Sequence, residues 1–120
     1  MNIGIDIIEV ERIEKIIKKN KFFLNKIFCN DEIEQILQKK NIFESAAARY
    51  CAKESFFKCI GTGIQKISNF KKIKILNNQY GKPEIFLLDN FKEKYQNFKF
   101  NLSMSHCKKY ACAVVCENHE

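Results

Sequence analysis

The chain has 120 residues, of which 46% are apolar and 29% charged, a composition typical of one globular domain with a real core. Lysines and arginines number 21 against 14 acidic residues, and the formal net charge of +7 favours an anionic partner: nucleic acid, a phosphorylated cofactor or an acidic protein. No apolar run approaches the length of a membrane span and no signal peptide opens the chain, so we expect a cytoplasmic protein without a membrane partner.

Six cysteines stand at positions 29, 51, 59, 107, 112 and 116. None of them forms a C-x-x-C pair, and the spacing of a zinc site is absent. Their even number would allow three disulfides, but without a secretory signal we expect free, buried thiols in a reducing cytoplasm.

An isoleucine-rich segment over residues 2–9 opens the chain and predicts a short β-strand. Asp6 interrupts its apolar residues, and burying an unpaired carboxylate is costly. Two interpretations follow. Either Asp6 has a cation, a metal or a cluster of hydrogen-bond donors beside it, or it points to water from an edge strand.

Residues 10–19 carry apolar side chains at the spacing of an amphipathic helix. The opposite face of this helix is basic, through Arg12, Lys15, Lys18 and Lys19. Such a face is either only solvated or a docking surface for an acidic partner.

An apolar cluster at residues 22–28 predicts a second short helix, and Asn30 or Asp31 is expected to cap a third. Asp31, Glu32 and Glu34 lie in the first turn of this third helix, where the helix dipole favours negative charge. We regard the dipole as a sufficient reason for these carboxylates and predict no chemistry for them.

A central helix is predicted over residues 43–60, with Gly61 as its C-terminal cap. The rest of the chain is expected to be organised around it. We expect buried side chains at Tyr50, Phe57 and Ile60, and charged ones at Arg49, Lys53, Glu54 and Lys58.

Glu54 and Lys58 are four residues apart and therefore share one face of the central helix. Most helices use such a pair as a surface ion pair worth about 0.3–0.5 kcal/mol. A carboxylate among cations could instead hold a metal while the cations bind phosphates. The metal interpretation needs a second acidic ligand from elsewhere in the chain.

Beyond the central helix the chain is predicted to be mainly β-structure. Gly61, Thr62 and Gly63 form either a turn or a close backbone approach to a ligand. The further predicted elements are a strand over 70–76, a loop over 77–83, a strand over 84–88, a short helix from Asp89 or Asn90 to residue 97, and a hairpin of strands over 98–106 and 110–116. This order of elements predicts a single α+β domain over residues 1–120.

Residues 4–12 fit the pattern G-x-D-[IV]-x-x-x-x-R, and residues 53–63 fit K-E-[AS]-x-x-K-x-x-G-x-G. Residues 103–113 fit S-x-S-H-x-x-x-Y-A-x-A. Together with the loop Gly81-Lys82-Pro83, these stretches resemble the holo-[acyl-carrier-protein] synthases, in order and nearly end to end. The resemblance implies a 4′-phosphopantetheinyl transferase-like fold, with an antiparallel sheet packed against helices in one module.

The resemblance implies an enzyme that moves the 4′-phosphopantetheine group from coenzyme A to a serine of apo acyl carrier protein, releasing adenosine 3′,5′-bisphosphate and supporting fatty acid biosynthesis. It implies Mg²⁺ bound by Asp6 and Glu54, so that Asp6 is the second acidic ligand. Glu54, Lys58 and His106 are then the catalytic residues. Either Glu54 or a metal-bound water takes the serine proton.

The resemblance also implies binding surfaces. Small members of the family form homotrimers with the coenzyme A site between subunits, so a single module of this size implies a homotrimer. The basic face at Arg12, Lys15, Lys18 and Lys19 is expected to bind the acidic acyl carrier protein. The residues expected to contact coenzyme A are Arg49, Lys58, Gly61, Lys82, Pro83, Ser105 and His106.

Two residues depart from the family: Tyr50 stands where Trp or Phe is common, and Ser55 where Ala is common. Neither is expected to touch a proposed ligand. Two other functions compete with the enzyme. A basic nucleic-acid-binding module would leave Asp6 and Glu54 unexplained, and an oligomer that has lost catalysis would not need them. Binding of coenzyme A would distinguish an enzyme from the nucleic-acid-binding module, and turnover would distinguish it from the oligomer that has lost catalysis.

Overall fold

The computed structural model describes residues 2–62 and 66–119, and a helix lying against an antiparallel sheet forms its centre. In chain order the elements are strand β1 (Asn2–Glu9), helices α1 (Val10–Lys19), α2 (Phe23–Ile27), α3 (Asn30–Leu37) and α4 (Ile42–Ile60), a 3₁₀ helix (Ile67–Lys72), strands β2 (Ile73–Asn77) and β3 (Pro83–Leu87), helix α5 (Asp89–Lys94), and strands β4 (Phe98–His106) and β5 (Tyr110–His119). The main sheet has the order β1-β5-β4, and β2 pairs with β3 in a separate ribbon; every pairing is antiparallel. The α+β prediction is confirmed.

Helix α4 is the predicted central helix and begins one residue earlier, at Ile42. Asn41 caps it by accepting a hydrogen bond from the Glu44 N–H at 3.0 Å. Gly61 ends it with φ of 73°, a left-handed conformation that glycine adopts without strain. Gly63, the third residue of the predicted turn, lies outside the described residues.

Small side chains let α4 lie close to the sheet. The alanines at 46, 47 and 48 are fully buried. At Gly4 of β1 a Cβ atom would lie 2.0 Å from the Ser55 carbonyl oxygen and 2.6 Å from the Cys59 nitrogen, so only glycine allows this contact. Since side chains alternate along a strand, Asp6 faces α4 from the same side of β1 as Gly4.

Aromatic rings fill much of the core around α4. Phe56 packs edge-on against Phe100, with ring centroids 4.8 Å apart, and Phe57 packs edge-on against Phe70 at 5.1 Å. Such pairs contribute about 0.5–1.5 kcal/mol beyond their area burial. The predicted burial of Phe57 is confirmed.

Two cations predicted only to stay charged, Arg49 and Lys53, are buried. The Lys53 ammonium donates to Glu32 Oε1 at 2.9 Å and to the carbonyls of Ile27 and Phe70, each at 2.8 Å. Glu32 also accepts from the backbone N–H groups of Cys29 at 3.0 Å and Ile75 at 2.9 Å. The helix dipole is therefore an incomplete account of Glu32, which is the buried partner of a lysine in another helix.

Several predicted boundaries shift. The strand predicted over 70–76 divides into the 3₁₀ helix and β2, and Cys29, not Asn30 or Asp31, is the N-cap of α3. Helix α5 ends at Lys94 and β5 continues to His119. All six cysteines are free, as predicted. The predicted burial holds only for Cys51 and Cys59, since Cys107 is exposed and Cys29, Cys112 and Cys116 are partly buried. Among the described residues, no helix is long and apolar enough to cross a membrane.

Candidate active site

A small cleft of about 220 Å³ lies between β1, α1, α2 and α4. Its polar lining consists of Asp6, Arg12, Tyr50 and Glu54, and we call this cavity the acidic cleft. The structure therefore brings together the two carboxylates that the sequence predicts to be metal ligands. They come from a strand and a helix whose close approach depends on Gly4.

Lys58 lies at the acidic cleft, where its ammonium is 3.1 Å from Asp6 Oδ1 and donates to the Ile5 carbonyl at 3.0 Å. The Lys58 side chain is 55% exposed and that of Asp6 is 19% exposed. The cation is thus anchored on β1 and still reachable from solvent.

The two carboxylates of the acidic cleft repel each other. Burial raises the pKa of Glu54 and the charge of Asp6 raises it further, while the Tyr50 hydroxyl and Lys58 oppose the rise. Burial and then Asp6 raise the pKa of the Cys51 thiol as well. A divalent cation between the carboxylates would relieve this repulsion, so the donor set fits Mg²⁺.

The protein supplies only part of a coordination sphere. Among the described residues, no group of three or more His, Cys, Asp or Glu side chains lies close enough to hold a metal ion. Mg²⁺ is commonly bound by one or two carboxylates, with water and substrate phosphate as its remaining ligands. Two carboxylates beside a phosphate-binding surface would therefore suffice.

A larger cavity of about 710 Å³ lies at the N-terminal end of α4, and we call it the basic cavity. Three predicted coenzyme A contacts, Arg49, Pro83 and His106, line it. Lys39 and Lys40 add positive charge that the sequence analysis missed. Arg49 and Tyr50 are neighbours on α4, so the basic cavity and the acidic cleft flank the same turn of that helix.

Arg49 is buried, with 3% of its surface exposed, and part of its guanidinium lacks a partner. Its Nη1 donates to Ser45 Oγ at 2.6 Å. With the Asn77 amide oriented to satisfy its neighbours, the Asn77 oxygen accepts from Arg49 Nη2 and Lys39 Nζ, each at 3.2 Å. Arg49 Nε has no hydrogen-bond partner among the described residues, and burial lowers the pKa of Arg49. Such an orphan donor fits an incoming anion.

His106 ends β4 at the basic cavity, where its Nδ1 lies 2.9 Å from Glu44 Oε1. Glu44 is in the first turn of α4, and no sequence pattern pointed to this pair because the residues are 62 positions apart. The contact fixes the orientation of the imidazole ring relative to the cavity.

Not every predicted contact reaches the cavities of a single chain. Within the described residues, the linings of both the acidic cleft and the basic cavity lack Lys58, Gly61, Lys82 and Ser105, although Lys58 contacts Asp6 beside the cleft. Gly61 lies at the opposite end of α4 from Glu44, about 25 Å along the helix axis. Ser105 is exposed and pairs in register with Cys112. Lys82 is next to Pro83 and is exposed.

The basic residues on the exposed face of α1 differ in their contacts. Arg12 lines the acidic cleft, whereas Lys15 pairs with Glu11 at 3.2 Å and Lys18 pairs with Glu14 at 2.8 Å. These exposed pairs contribute little to stability. Arg12 is thus the member of the face that touches the candidate site.

The expectation that Tyr50 stays clear of the proposed ligands is wrong. Tyr50 lines the same cleft as Asp6 and Glu54, and its hydroxyl interacts with Glu54. The spacing of four residues between Tyr50 and Glu54 is the signal that could have revealed this. Ser55 is indeed remote, since its hydroxyl is buried and donates to the Ala113 carbonyl at 2.9 Å.

The fold and these sites define the class of protein. The family model of the 4′-phosphopantetheinyl transferase superfamily matches residues 2–115, and the chain belongs to this family. The resemblance found in the sequence motifs is therefore confirmed.

Relatives within the family share one name. The chain is 43% identical over 116 residues to the holo-[acyl-carrier-protein] synthase of Chloroherpeton thalassium, covering 96% of this chain and 95% of that protein. It is 44% identical over 122 residues to the holo-[acyl-carrier-protein] synthase of Oceanobacillus iheyensis, covering 98% and 97%.

Solved structures of the same kind share the fold. A holo-(acyl-carrier-protein) synthase from Bacillus anthracis in complex with CoA (3′,5′-ADP) is 35% identical, with a TM-score of 0.83 and coverage of 99% of this chain and 96% of that chain. The Helicobacter pylori holo-[acyl-carrier-protein] synthase in complex with coenzyme A is 32% identical, with a TM-score of 0.82 and coverage of 97% and 99%. The predicted fold class is confirmed.

Proposed function

We propose that this chain transfers 4′-phosphopantetheine from coenzyme A to a serine of acyl carrier protein and thereby serves fatty acid biosynthesis. The observation that carries the proposal is the acidic cleft beside the basic cavity on one turn of α4. The names of the relatives, and the coenzyme A in two of the neighbouring structures, support it.

The reaction forms one P–O bond and breaks another. The serine oxygen attacks the β-phosphorus of coenzyme A, the bond to the bridging oxygen of the diphosphate breaks, and adenosine 3′,5′-bisphosphate leaves. The serine proton is released. Charge grows on the diphosphate, so cations near it stabilise the transition state.

Asp6 and Glu54 would hold Mg²⁺ in the acidic cleft. When bound, the ion supplies a positive charge that polarises the phosphoryl oxygens. Lys58 has its ammonium at the same cleft and is half exposed, so it can turn from Asp6 to the developing charge on the diphosphate.

The basic cavity would take the nucleotide phosphates. Arg49 lines it with a buried guanidinium whose Nε has no hydrogen-bond partner among the described residues, and His106, Lys39 and Lys40 bring further donors. Charge-assisted hydrogen bonds from such groups to phosphate are about twice as strong as neutral ones. Pro83 and the adjacent Lys82 form the rim.

A homotrimer would complete the site. The outer face of the sheet exposes Ile3, Ile5 and Ile7, each 64–66% accessible, and Ile5 pairs in register with Val114 of β5. An exposed apolar stripe of this kind favours contact between subunits. Ser105 is next to this face, which agrees with a contact to coenzyme A bound by a neighbouring subunit.

Light scattering tests the trimer. The wild type is expected at three times the mass of the chain, and Ile5→Asp is expected to shift it toward smaller species because a charge replaces an apolar contact. Glu93→Gln, an exposed change on α5, is the control. An active wild-type monomer would contradict the trimer.

Arg12, Lys15, Lys18 and Lys19 are proposed to dock the acidic carrier protein beside the acidic cleft. The cytoplasm is the proposed compartment, because six free thiols suit a reducing environment.

Mass spectrometry tests the function itself. Apo acyl carrier protein is incubated with this chain, coenzyme A and Mg²⁺, and a phosphopantetheine adduct on one serine is the expected product. A parallel reaction without coenzyme A is the control. An unmodified carrier after long incubation with the folded chain would overturn the proposal.

A further inference from the structure

The aromatic residue one helical turn before Glu54 is a tyrosine, and its position gives it a role beyond packing. Tyr50 and Glu54 are four residues apart on α4 and both line the acidic cleft with Asp6 and Arg12. The Tyr50 side chain therefore shares the cleft with three charged residues, while apolar residues such as Ile13 and Phe23 complete the lining.

The ring of Tyr50 is held on both sides. It stacks on Phe70 with centroids 5.8 Å apart and an interplanar angle of 7°, and it packs against Phe23 at 6.3 Å. A ring confined in this way has little rotational freedom, so the hydroxyl occupies a defined place.

We propose that Tyr50 is a positioning residue, whose hydroxyl donates a hydrogen bond to the Glu54 carboxylate and holds it in the orientation that binds the cation of the acidic cleft. The inference rests on the metal site in the proposed function. It assigns Tyr50 no contact with the metal or with coenzyme A.

The electrostatics agree with a donor role. A phenol offers one O–H donor and an ionised carboxylate offers only acceptors, so the two groups are complementary. Glu54 is a partly buried carboxylate that shares the cleft with a second carboxylate, Asp6, and it therefore gains from a neutral donor. Carboxylates that bind metals are commonly oriented by such hydrogen bonds, and their loss costs about 10–100-fold in metal affinity.

Mn²⁺ binding in the absence of carrier protein tests the inference without reference to turnover. Free Mn²⁺ is followed by electron paramagnetic resonance as it is titrated into the full chain with saturating coenzyme A. Tyr50→Phe keeps the stacked ring and removes only the hydroxyl. We expect Mn²⁺ affinity to fall about tenfold, with coenzyme A affinity within twofold of wild type.

A matched control removes a hydroxyl from another packed ring. Tyr95 is buried and packs edge-on against Phe56 and Phe98, away from both cavities. Tyr95→Phe is expected to leave Mn²⁺ affinity unchanged. Glu54→Gln is expected to abolish Mn²⁺ binding.

The outcomes separate the inference from the proposed function. Equal Mn²⁺ affinity in wild type and Tyr50→Phe, with binding lost in Glu54→Gln, would overturn the role of Tyr50 and leave the metal site intact. A parallel loss of coenzyme A affinity or thermal stability in Tyr50→Phe would make the effect one of packing, and would also overturn it. A wild type that binds no Mn²⁺ yet modifies the carrier would remove the metal site and the inference together, but not the transfer function.

Discussion

Helix α4 carries two lysines five residues apart, and each lies beside a carboxylate from another element. Lys53 is completely buried, and three hydrogen bonds satisfy its ammonium with one carboxylate and two carbonyls. Lys58 is 55% exposed, and its partner Asp6 faces a cleft that contains a second carboxylate. The buried pair joins secondary-structure elements, whereas the pair at the cleft keeps its charges available to a ligand.

Burial explains why the two pairs have different roles. A buried ion pair must be satisfied by its own surroundings, because an uncompensated charge away from water is costly. At a cleft edge, the charges can exchange partners with solvent or substrate. The Lys53–Glu32 pair, whose ammonium is fully hydrogen-bonded, is therefore structural. The Lys58–Asp6 pair keeps hydrogen-bonding capacity for a ligand.

The largest expected effect comes from the carboxylates of the cleft. Asp6→Ala or Glu54→Ala should reduce transfer at least about a thousandfold, because each removes one of the two proposed protein ligands of Mg²⁺. Far-UV circular dichroism should show a folded chain, since neither side chain belongs to the apolar core. Near-normal turnover at saturating Mg²⁺ would contradict the metal assignment.

Breaking the buried pair should affect stability instead. Lys53→Met leaves Glu32 charged and unpaired in the interior, and we expect the free energy of unfolding to fall by about 3–5 kcal/mol. Urea denaturation measures it. Lys58→Met is the matched control and should cost less than about 1 kcal/mol, because its ammonium is half exposed. Equal losses of stability in the two variants would contradict the view that Lys53 has a structural role and Lys58 does not.

Substitution of Arg12 tests whether the carrier protein binds beside the acidic cleft. Arg12→Glu should raise the KM for acyl carrier protein about tenfold, because a reversed charge at the edge of the interface slows encounter, while the KM for coenzyme A stays nearly constant. Added salt should imitate the defect in the wild type, since surface charges are screened over about 8 Å at physiological ionic strength.

The control for Arg12 is Lys15→Glu, because Lys15 is on the same helix and already pairs with Glu11. We expect a smaller rise in KM there. Steady-state kinetics with each substrate varied in turn distinguishes the cases. Equal weakening of both substrates by Arg12→Glu would place Arg12 in the nucleotide site.

A third pair, Asp31 with Lys74 at 2.8 Å, is next to the buried pair in sequence but only partly buried, and it should matter least. The hydrogen bond from Lys74 lowers the pKa of Asp31, so its contribution to stability is present above the unfolded pKa and is lost as pH falls through the lowered value. Asp31→Asn should cost about 0.5 kcal/mol at pH 7, and the difference from wild type should shrink below about pH 4. Urea titrations at both pH values measure this. A difference independent of pH would point to the hydrogen bond that Asp31 accepts from the Glu32 N–H, and not to the ion pair.

The sequence predicts local features well and long-range pairs poorly. Helix α4, strand β1 and the hairpin of β4 and β5 follow from periodicity and from the cap at Gly61, because these signals lie within a few residues. Asp6 and Glu54 are 48 positions apart, and only the resemblance to a family paired them before the structure was known.

The tertiary partners of charged residues were beyond sequence reasoning. Glu32 looks like an ordinary first-turn carboxylate, and nothing in the chain indicates that Lys53 reaches it from another helix. Glu44 and His106 meet only because β4 ends at the first turn of α4. Such contacts depend on how elements pack, whereas composition and spacing report on single elements.

The contact at Gly4 sets the width of the acidic cleft. The strand and helix touch there through backbone atoms, with no room for one methyl group, so the main chains that carry Asp6 and Glu54 lie as close together as backbone contact allows. A spacing that is set by contact between backbone atoms does not change with side-chain rotamers. Misplacement of a reacting group by about 1 Å can cost a hundredfold in rate. Gly4, the smallest residue in the strand, therefore determines how precisely the groups of the acidic cleft are positioned.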